Sequence, residues 1–131
     1  MLEFFTRRHT LKGRPPYLHR LEEFPRLEIV RLKGRLDHDT IPLVESRIEE
    51  NRKHGGKIEK NVILDFAKVE HVDSALIASH MVHLSEYQSQ GFTIAMINVT
   101  TELKNLIDLF HKKDAFKIYA NEEDAVKELN Q

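Results

Sequence analysis

Residues 61–77 have the sequence NVILDFAKVEHVDSALI, in which a strand pattern is followed by a helix start. The apolar run Val62-Ile63-Leu64 lies between polar residues, as in a central strand buried on both faces. Asp73 and Ser74 are residue types that cap helices well, and they stand directly before an apolar-periodic run. The stretch predicts a strand at 62–66, a short connection and a helix from about 75 to 90. Ser74 would then lie at a helix N-terminus on the carboxyl edge of a sheet, where partners usually meet α/β proteins. Taken alone, these two residues are more often simple caps.

Strand and helix patterns alternate on both sides of this stretch. Strands are predicted at 17–21, 27–32, 92–97 and 116–119, and Pro25 marks a turn between the first two. Helices are predicted after Thr40, after Thr100 or Thr101, and at 122–129. The order ββαβαβαβα indicates one α/β domain, with a mostly parallel mixed sheet of about five strands and about four helices packed against it.

Composition excludes several classes of function. The chain has 131 residues, a formal net charge of −1 and no cysteine. The balanced charge argues against nucleic acid as a partner, and the lack of cysteine excludes disulfides and thiol catalysis. It also fits a cytoplasmic protein. No apolar run approaches the length of a membrane-spanning helix.

Residues 1–16 differ from the remainder. Four basic residues stand against the single acid Glu3, and the segment ends in Pro15-Pro16. We expect a basic N-terminal arm or linker, followed by the domain at 17–131. The arm is either a flexible tail or a connector near a membrane, drawn to anionic headgroups at the inner face.

Four sequence blocks resemble those of the STAS domain, shared by bacterial anti-sigma factor antagonists and sulfate-permease-type anion transporters. The resemblance covers roughly residues 17–129, and it rests on the order and spacing of the blocks. The blocks are Gly34-Arg35-Leu36-Asp37 with Pro42-Leu43, Val62–Phe66 with Val69 and Val72-Asp73-Ser74, Gly91-Phe92 to Asn98-Val99-Thr100, and Glu123-Asp124-Ala125.

The resemblance implies a non-enzymatic protein-binding module without a cofactor. In the antagonists, the serine at the position of Ser74 is phosphorylated by an anti-sigma kinase. The family's usual D-S-[ST]-G is here Asp73-Ser74-Ala75-Leu76, and its glycine is commonly missing from the transporter branch too. The loop after Gly34 lacks the aromatic, Asn-Ala-containing sequence of the transporters. The expected partner-binding residues are Asp37, His38, Asp39, Asp73, Ser74, Leu76 and Ile77.

Two accounts therefore stay open. The chain is either an antagonist that binds an anti-sigma factor or kinase, or the cytosolic regulatory domain of an anion transporter, whose partner is the membrane part. A nucleotide-binding module is a more distant alternative, because the sequence has no G-x-x-x-x-G-K loop.

Metal and catalytic sites receive little support from spacing. His80 and His83 are three residues apart on a predicted helix, but no third ligand stands at a suitable spacing, so no metal is expected. Asp65 and Asp73 could form a carboxylate pair, yet nothing supplies a nucleophile or an oxyanion donor between them.

Overall fold

The structure, a computed structural model, describes residues 16–50, 56–110 and 115–131. The predicted basic arm lies outside this range, apart from Pro16. The order of elements is the predicted ββαβαβαβα. The strands are β1 (Leu18–Phe24), β2 (Leu27–Leu36), β3 (Asn61–Val72), β4 (Ile94–Ile97) and β5 (Lys117–Tyr119). The helices are α1 (Ile41–Glu49), α2 (Ala75–Ser89), α3 (Thr101–Leu109) and α4 (Glu122–Leu129).

The five strands form one mixed sheet in the order β1-β2-β3-β4-β5. β1 and β2 form an antiparallel hairpin in which Phe24 pairs with Leu27 across the turn that Pro25 opens. The remaining strands are parallel, so helices connect them, as the sequence predicts. The carboxyl ends of β2, β3 and β4 consequently lie on the same edge of the sheet.

The two central strands are longer than predicted. β2 continues through Gly34 and Arg35 to Leu36, and β3 continues from Phe66 to Val72, where a connection was expected. These extensions pair with each other up to Leu36 and Val72, across two register shifts. The shifts disturb the regular alternation of apolar and polar residues, which is the signal that identifies a strand in a sequence.

Apolar side chains fill both faces of the sheet. On one face, α1, α2 and α3 cover the larger cluster, which includes Val30, Leu64 and Met96. On the other face, α4 alone adds helical residues to the cluster of Leu27, Ile29, Ile63, Ala95, Ile97, Ala125 and Leu129. Since both faces are covered, β3 has the near-continuous apolar run that identified it.

Charged groups are also built into both faces. Glu28 of β2 is 0% exposed and Arg47 of α1 is 3% exposed, and their side chains form an ion pair on the α1 side. On the α4 side, Arg31 bonds to Asp65 Oδ2 at 2.6 Å and to both carboxylate oxygens of Glu122 at 2.9 and 2.8 Å. Arg31 also pairs with Glu22 of β1. One guanidinium thus ties together β1, β2, β3 and α4.

His80 of α2 lies in the core, with its ring centroid 4.8 Å from that of Phe116. Burial, assisted by the nearby His83, lowers the pKa of His80 to about 4. The folded protein therefore binds a proton at His80 less readily than the unfolded chain does, since an unfolded histidine has its ordinary pKa near 6.5. Stability from this group is present above about pH 6.5 and is lost as the pH falls towards 4.

We expect the free energy of unfolding to fall by roughly 2 kcal/mol through His80 between pH 7 and pH 5. Urea unfolding at both pH values measures this loss. His80→Leu should remove most of the dependence in this interval, because leucine is apolar and does not titrate. An equal loss in the wild type and in His80→Leu would show that other groups cause the dependence.

Candidate functional site

The ends of β2 and β3 bring together the two loops that carry the predicted site residues. Leu36 pairs with Val72, and the next backbone N–H, that of Asp73, donates to the carbonyl of Leu36 at 2.8 Å. Asp37 and Asp73 therefore follow directly after neighbouring, hydrogen-bonded strand ends. Each of them begins the connection to a helix, α1 or α2.

Asp37 closes the loop that enters α1. Its Oδ1 accepts hydrogen bonds from the backbone N–H groups of Asp39 at 3.0 Å and Thr40 at 3.2 Å. The bond from Asp39, then that from Thr40, together with the nearby His38, outweigh the opposing effect of desolvation and lower the pKa of Asp37. The carboxylate is thus held in its charged form.

Helix α1 begins directly after Thr40, as the sequence predicts. The Thr40 hydroxyl donates to the carbonyl of Arg35 at 2.7 Å and accepts from the N–H of Asp37 at 2.9 Å. Thr40 stands at the N-cap position, but its side chain forms no capping bond. Its hydroxyl holds the loop together, and the backbone carbonyl of Asp37 accepts from the first N–H of the helix, that of Ile41, at 2.8 Å.

At the start of α2, Asp73 takes the capping role that the sequence left open between Asp73 and Ser74. Asp73 Oδ1 accepts from the N–H of Ala75 at 2.9 Å, and the Asp73 carbonyl accepts from the N–H of Leu76 at 3.0 Å. Ser74 has helical dihedrals, is exposed, and makes no capping bond through its hydroxyl. The hydroxyl of Ser74 is therefore exposed at the helix N-terminus and is not used to cap the helix.

A shallow groove of about 390 Å³ runs beside Ser74, between the first turns of α1 and α2. It is lined by His38, Ile41, Pro42, Glu45, Ala75, Ala78, Ser79 and Val82. Val82 is 62% exposed, so the rim of the groove carries an apolar side chain in contact with water. Small residues on α2 and the proline on α1 create this surface. The hydrophobic periodicity of each helix in the sequence could not show that these two helix faces lie side by side.

The predicted partner-binding residues do not all lie on this surface. His38 and Asp39 are exposed, and their side chains lie 3.5 Å apart. Asp37 and Asp73 are half-buried, and their carboxylates accept hydrogen bonds from nearby backbone N–H groups. Leu76 and Ile77 are 3% and 5% exposed and belong to the core, so the structure does not make their side chains available to a partner. The apolar periodicity of α2 already indicates this orientation, because residues that follow the buried stripe of a helix face inward.

A carboxylate from α3 also reaches the end of β3. Glu102 accepts from the N–H of Val72 at 3.1 Å, and its other oxygen lies 2.9 Å from His71 Nδ1. β4 ends at Ile97, and the next residue, Asn98, turns the chain with a positive φ of 54° and donates from its amide to Asp65 Oδ1 at 2.9 Å. Asp65 is therefore engaged by Asn98 and Arg31, and the structure does not bring it together with Asp73 as a carboxylate pair.

The family model of the STAS domain matches residues 20–125. The chain belongs to the STAS domain family. The predicted family and fold are thereby confirmed: a STAS domain is present, with a mixed sheet of five strands and four described helices.

Solved structures of anti-sigma factor antagonists and of an anion transporter have a similar fold. Unphosphorylated SpoIIAA, an anti-sigma factor antagonist, is 16% identical with a TM-score of 0.67, covering 82% of this chain and 93% of its own. Phosphorylated SpoIIAA of Bacillus is 18% identical with a TM-score of 0.63, covering 83% and 96%. The murine anion transporter Slc26a9 is 20% identical with a TM-score of 0.65, covering 90% of this chain but 19% of the transporter. Comparison with curated protein sequences gave no significant match.

Within residues 16–50, 56–110 and 115–131, none of the helices has both the length and the apolar character needed to cross a bilayer.

Proposed function

We propose that this STAS domain is a non-enzymatic regulatory module of the anti-sigma factor antagonist type. In this proposal, the partner is an anti-sigma factor or kinase that binds the groove between α1 and α2 together with the adjoining start of α2. Phosphorylation of Ser74 regulates the binding. The observation that carries the proposal is the exposed Ser74 at the N-terminus of α2, whose hydroxyl is not used as a cap.

The surroundings of Ser74 suit a kinase substrate. Asp73 already satisfies the backbone N–H of Ala75, so modification of Ser74 would not remove a cap. Leu76, which replaces the family's usual glycine, has its side chain in the core and not on the surface around the hydroxyl. The replacement of glycine by Leu76 therefore does not cover the hydroxyl of Ser74.

A phosphate on Ser74 would change binding far more than folding. It adds about −1.5 to −2 charges at neutral pH, and the N-terminus of α2 stabilises negative charge. A partner that covers the apolar rim beside Ser74 would have to bury this charge next to the carboxylate of Asp73. Burying an unpaired charge at an interface costs a few kcal/mol, sufficient for a large change in affinity.

Two variants of Ser74 test the switch. Ser74→Asp should fold normally but weaken partner binding by roughly tenfold or more, because it places a permanent charge at the contact. Ser74→Ala should bind like the wild type and keep its stability within about 0.5 kcal/mol, because the hydroxyl is no cap. Calorimetric titration with purified anti-sigma factor kinases of the source organism, and thermal melts, measure both effects.

Ser85→Asp is the matched control. Ser85 is exposed on the same helix, three turns away, so the variant adds the same charge outside the contact. It should bind like the wild type. Incubation of the wild-type protein with kinase and ATP should place a phosphate on Ser74, detectable by peptide mass spectrometry. If Ser74→Asp binds as tightly as Ser85→Asp, Ser74 does not regulate binding.

The second account is a regulatory domain of a sulfate-permease-type transporter, and it is supported by the similarity to the STAS part of Slc26a9. In that case the basic segment 1–16 would connect the domain to the inner face of the membrane. Reading the DNA upstream of the codon for Met1 distinguishes the accounts. Encoded hydrophobic spans in the same reading frame would support the transporter, and a promoter and ribosome-binding site would support the free antagonist.

A further inference from the structure

A histidine and three glutamates meet along the seam between α1 and α2, beyond the groove described above. Glu45 and Glu49 are four residues apart and therefore share one side of α1. His83 and Glu86 are three residues apart and share one side of α2. The packing of the two helices turns these sides towards each other. His83 Nδ1 lies 3.7 Å from Glu49 Oε2 and 3.8 Å from Glu86 Oε1, and His83 Nε2 lies 3.9 Å from Glu45 Oε2.

The imidazole of His83 is the unusual member of this group. The residue is 7% exposed, and Nδ1 is buried without a hydrogen-bond partner among the described residues. The two nearest carboxylate oxygens lie beyond hydrogen-bonding distance. A buried nitrogen without a hydrogen-bond partner costs free energy. A bound group that contacts Nδ1 and both carboxylates at once would remove this cost.

We propose that His83, Glu49 and Glu86 bind a divalent transition-metal ion such as Zn²⁺ between α1 and α2. One ligand atom from each of the three residues lies within 4.8 Å of the others. Ligand atoms about 2.0–2.2 Å from a tetrahedral zinc ion are about 3.3–3.6 Å apart, so small side-chain rotations bring the three into place. The ligand set selects the class of ion, because imidazole favours zinc and its neighbours, whereas Mg²⁺ and Ca²⁺ prefer oxygen ligands.

The remaining groups suit this assignment. The side chains of Glu49 and Glu86 are 47% and 43% exposed, so an ion can enter from solvent and keep water on its open positions. Glu45 is the carboxylate nearest to the other ring nitrogen, and the hydroxyl of Ser79 donates a hydrogen bond to it. A carboxylate that accepts from the second ring nitrogen commonly orients a metal-binding imidazole, and Glu45 would do so after closing the 3.9 Å gap to Nε2. The ion would cross-link α1 to α2 directly below the groove.

Metal titration of the full chain tests the proposal. With ZnCl₂ after treatment with a chelator, calorimetry should show one ion bound per chain, and the melting temperature should rise. Co²⁺ should give the visible absorption of a low-coordinate site, and MgCl₂ should leave the melting temperature unchanged. Glu49→Gln and Glu86→Gln should each weaken Zn²⁺ binding by roughly tenfold or more, since each removes a ligand while leaving an exposed, isosteric side chain.

Two further variants keep the result interpretable. Glu70→Gln removes an exposed carboxylate elsewhere, on β3, and should bind Zn²⁺ like the wild type. His83→Gln should lose the site, and its far-ultraviolet circular dichroism shows whether it folds. The proposal is overturned if the wild type binds no Zn²⁺, or if Glu49→Gln and Glu86→Gln bind it as tightly as Glu70→Gln. In that case His83 and the glutamates are only neighbours in the packing of α1 against α2.

Discussion

Arg47→Met is expected to lower the free energy of unfolding by about 3–5 kcal/mol. The variant removes the guanidinium that pairs with Glu28, a carboxylate that is fully buried beneath α1. Methionine fills much of the same space, so the loss comes from the charge left in the core and not from a cavity. Urea denaturation at pH 7, together with the wild type, measures the change.

The double variant Glu28→Met/Arg47→Met separates this cause from lost packing. It removes both charges, and replacement of a buried ion pair by apolar residues is often neutral or stabilising. We therefore expect the double variant to be more stable than Arg47→Met. Glu50→Gln is the control for the second partner of Arg47, since Glu50 is 51% exposed at the side chain and its pair contributes little. A double variant as unstable as Arg47→Met would contradict the electrostatic explanation.

Arg31→Met should cost about 3–4 kcal/mol, because it leaves three carboxylates facing one another between the sheet and α4. The hydrogen bond from Arg31 lowers the pKa of Glu122. Burial would raise the pKa of Asp65, but the hydrogen bonds from Asn98, Ala67 and Arg31 outweigh it and lower that pKa. Without Arg31, both groups lose a cation that favours their charged forms.

The pH dependence of Arg31→Met provides an independent check. A carboxyl group with a lowered pKa in the folded state stabilises the protein above its unfolded pKa, and this stability is lost as the pH falls through the folded pKa. The wild type should therefore lose stability below about pH 4, and Arg31→Met should lose less over the same range. Arg20→Met, which removes an exposed arginine paired with Glu22, should behave like the wild type. An acid transition in Arg31→Met as steep as that of the wild type would mean that Arg31 does not control these groups.

Local sequence patterns were sufficient to predict the order of the elements and several boundaries. The start of α2 at Ala75 and the limits of α4 at Glu122 and Leu129 agree with the sequence, because capping residues mark them. The same patterns place Ser74 at the beginning of α2. They could not decide whether Asp73 or Ser74 is the cap, since both types are good caps and the choice depends on loop geometry.

Contacts between distant segments account for what the sequence could not predict. Glu28 follows the polar alternation of β2 and would be expected at the surface, but Arg47 arrives from α1 and makes its burial possible. The sequence spacing singled out His80 with His83, whereas the proposed metal site combines His83 and Glu86 of α2 with Glu49, which comes from α1 and cannot be found by helical spacing. The extension of β3 is stabilised by pairing with β2. The polar residues in this part of β3 do not give a strand pattern by themselves, so the sequence did not predict it.

That extension of β3 also bears on how the domain avoids association with itself. β4 pairs with β3 only as far as Asp65 and Ile97. Residues 66–72 of β3 therefore pair with β2 on one side, and β4 does not continue along their other side. An open strand edge can recruit another extended chain and lead to aggregation. Here Lys68 and Glu70 place exposed charges along the edge, register shifts distort the β2–β3 ladder, and Glu102 occupies the N–H of Val72. These are the devices by which sheets block edge-to-edge growth, and they protect the stretch of backbone that leads directly to Ser74.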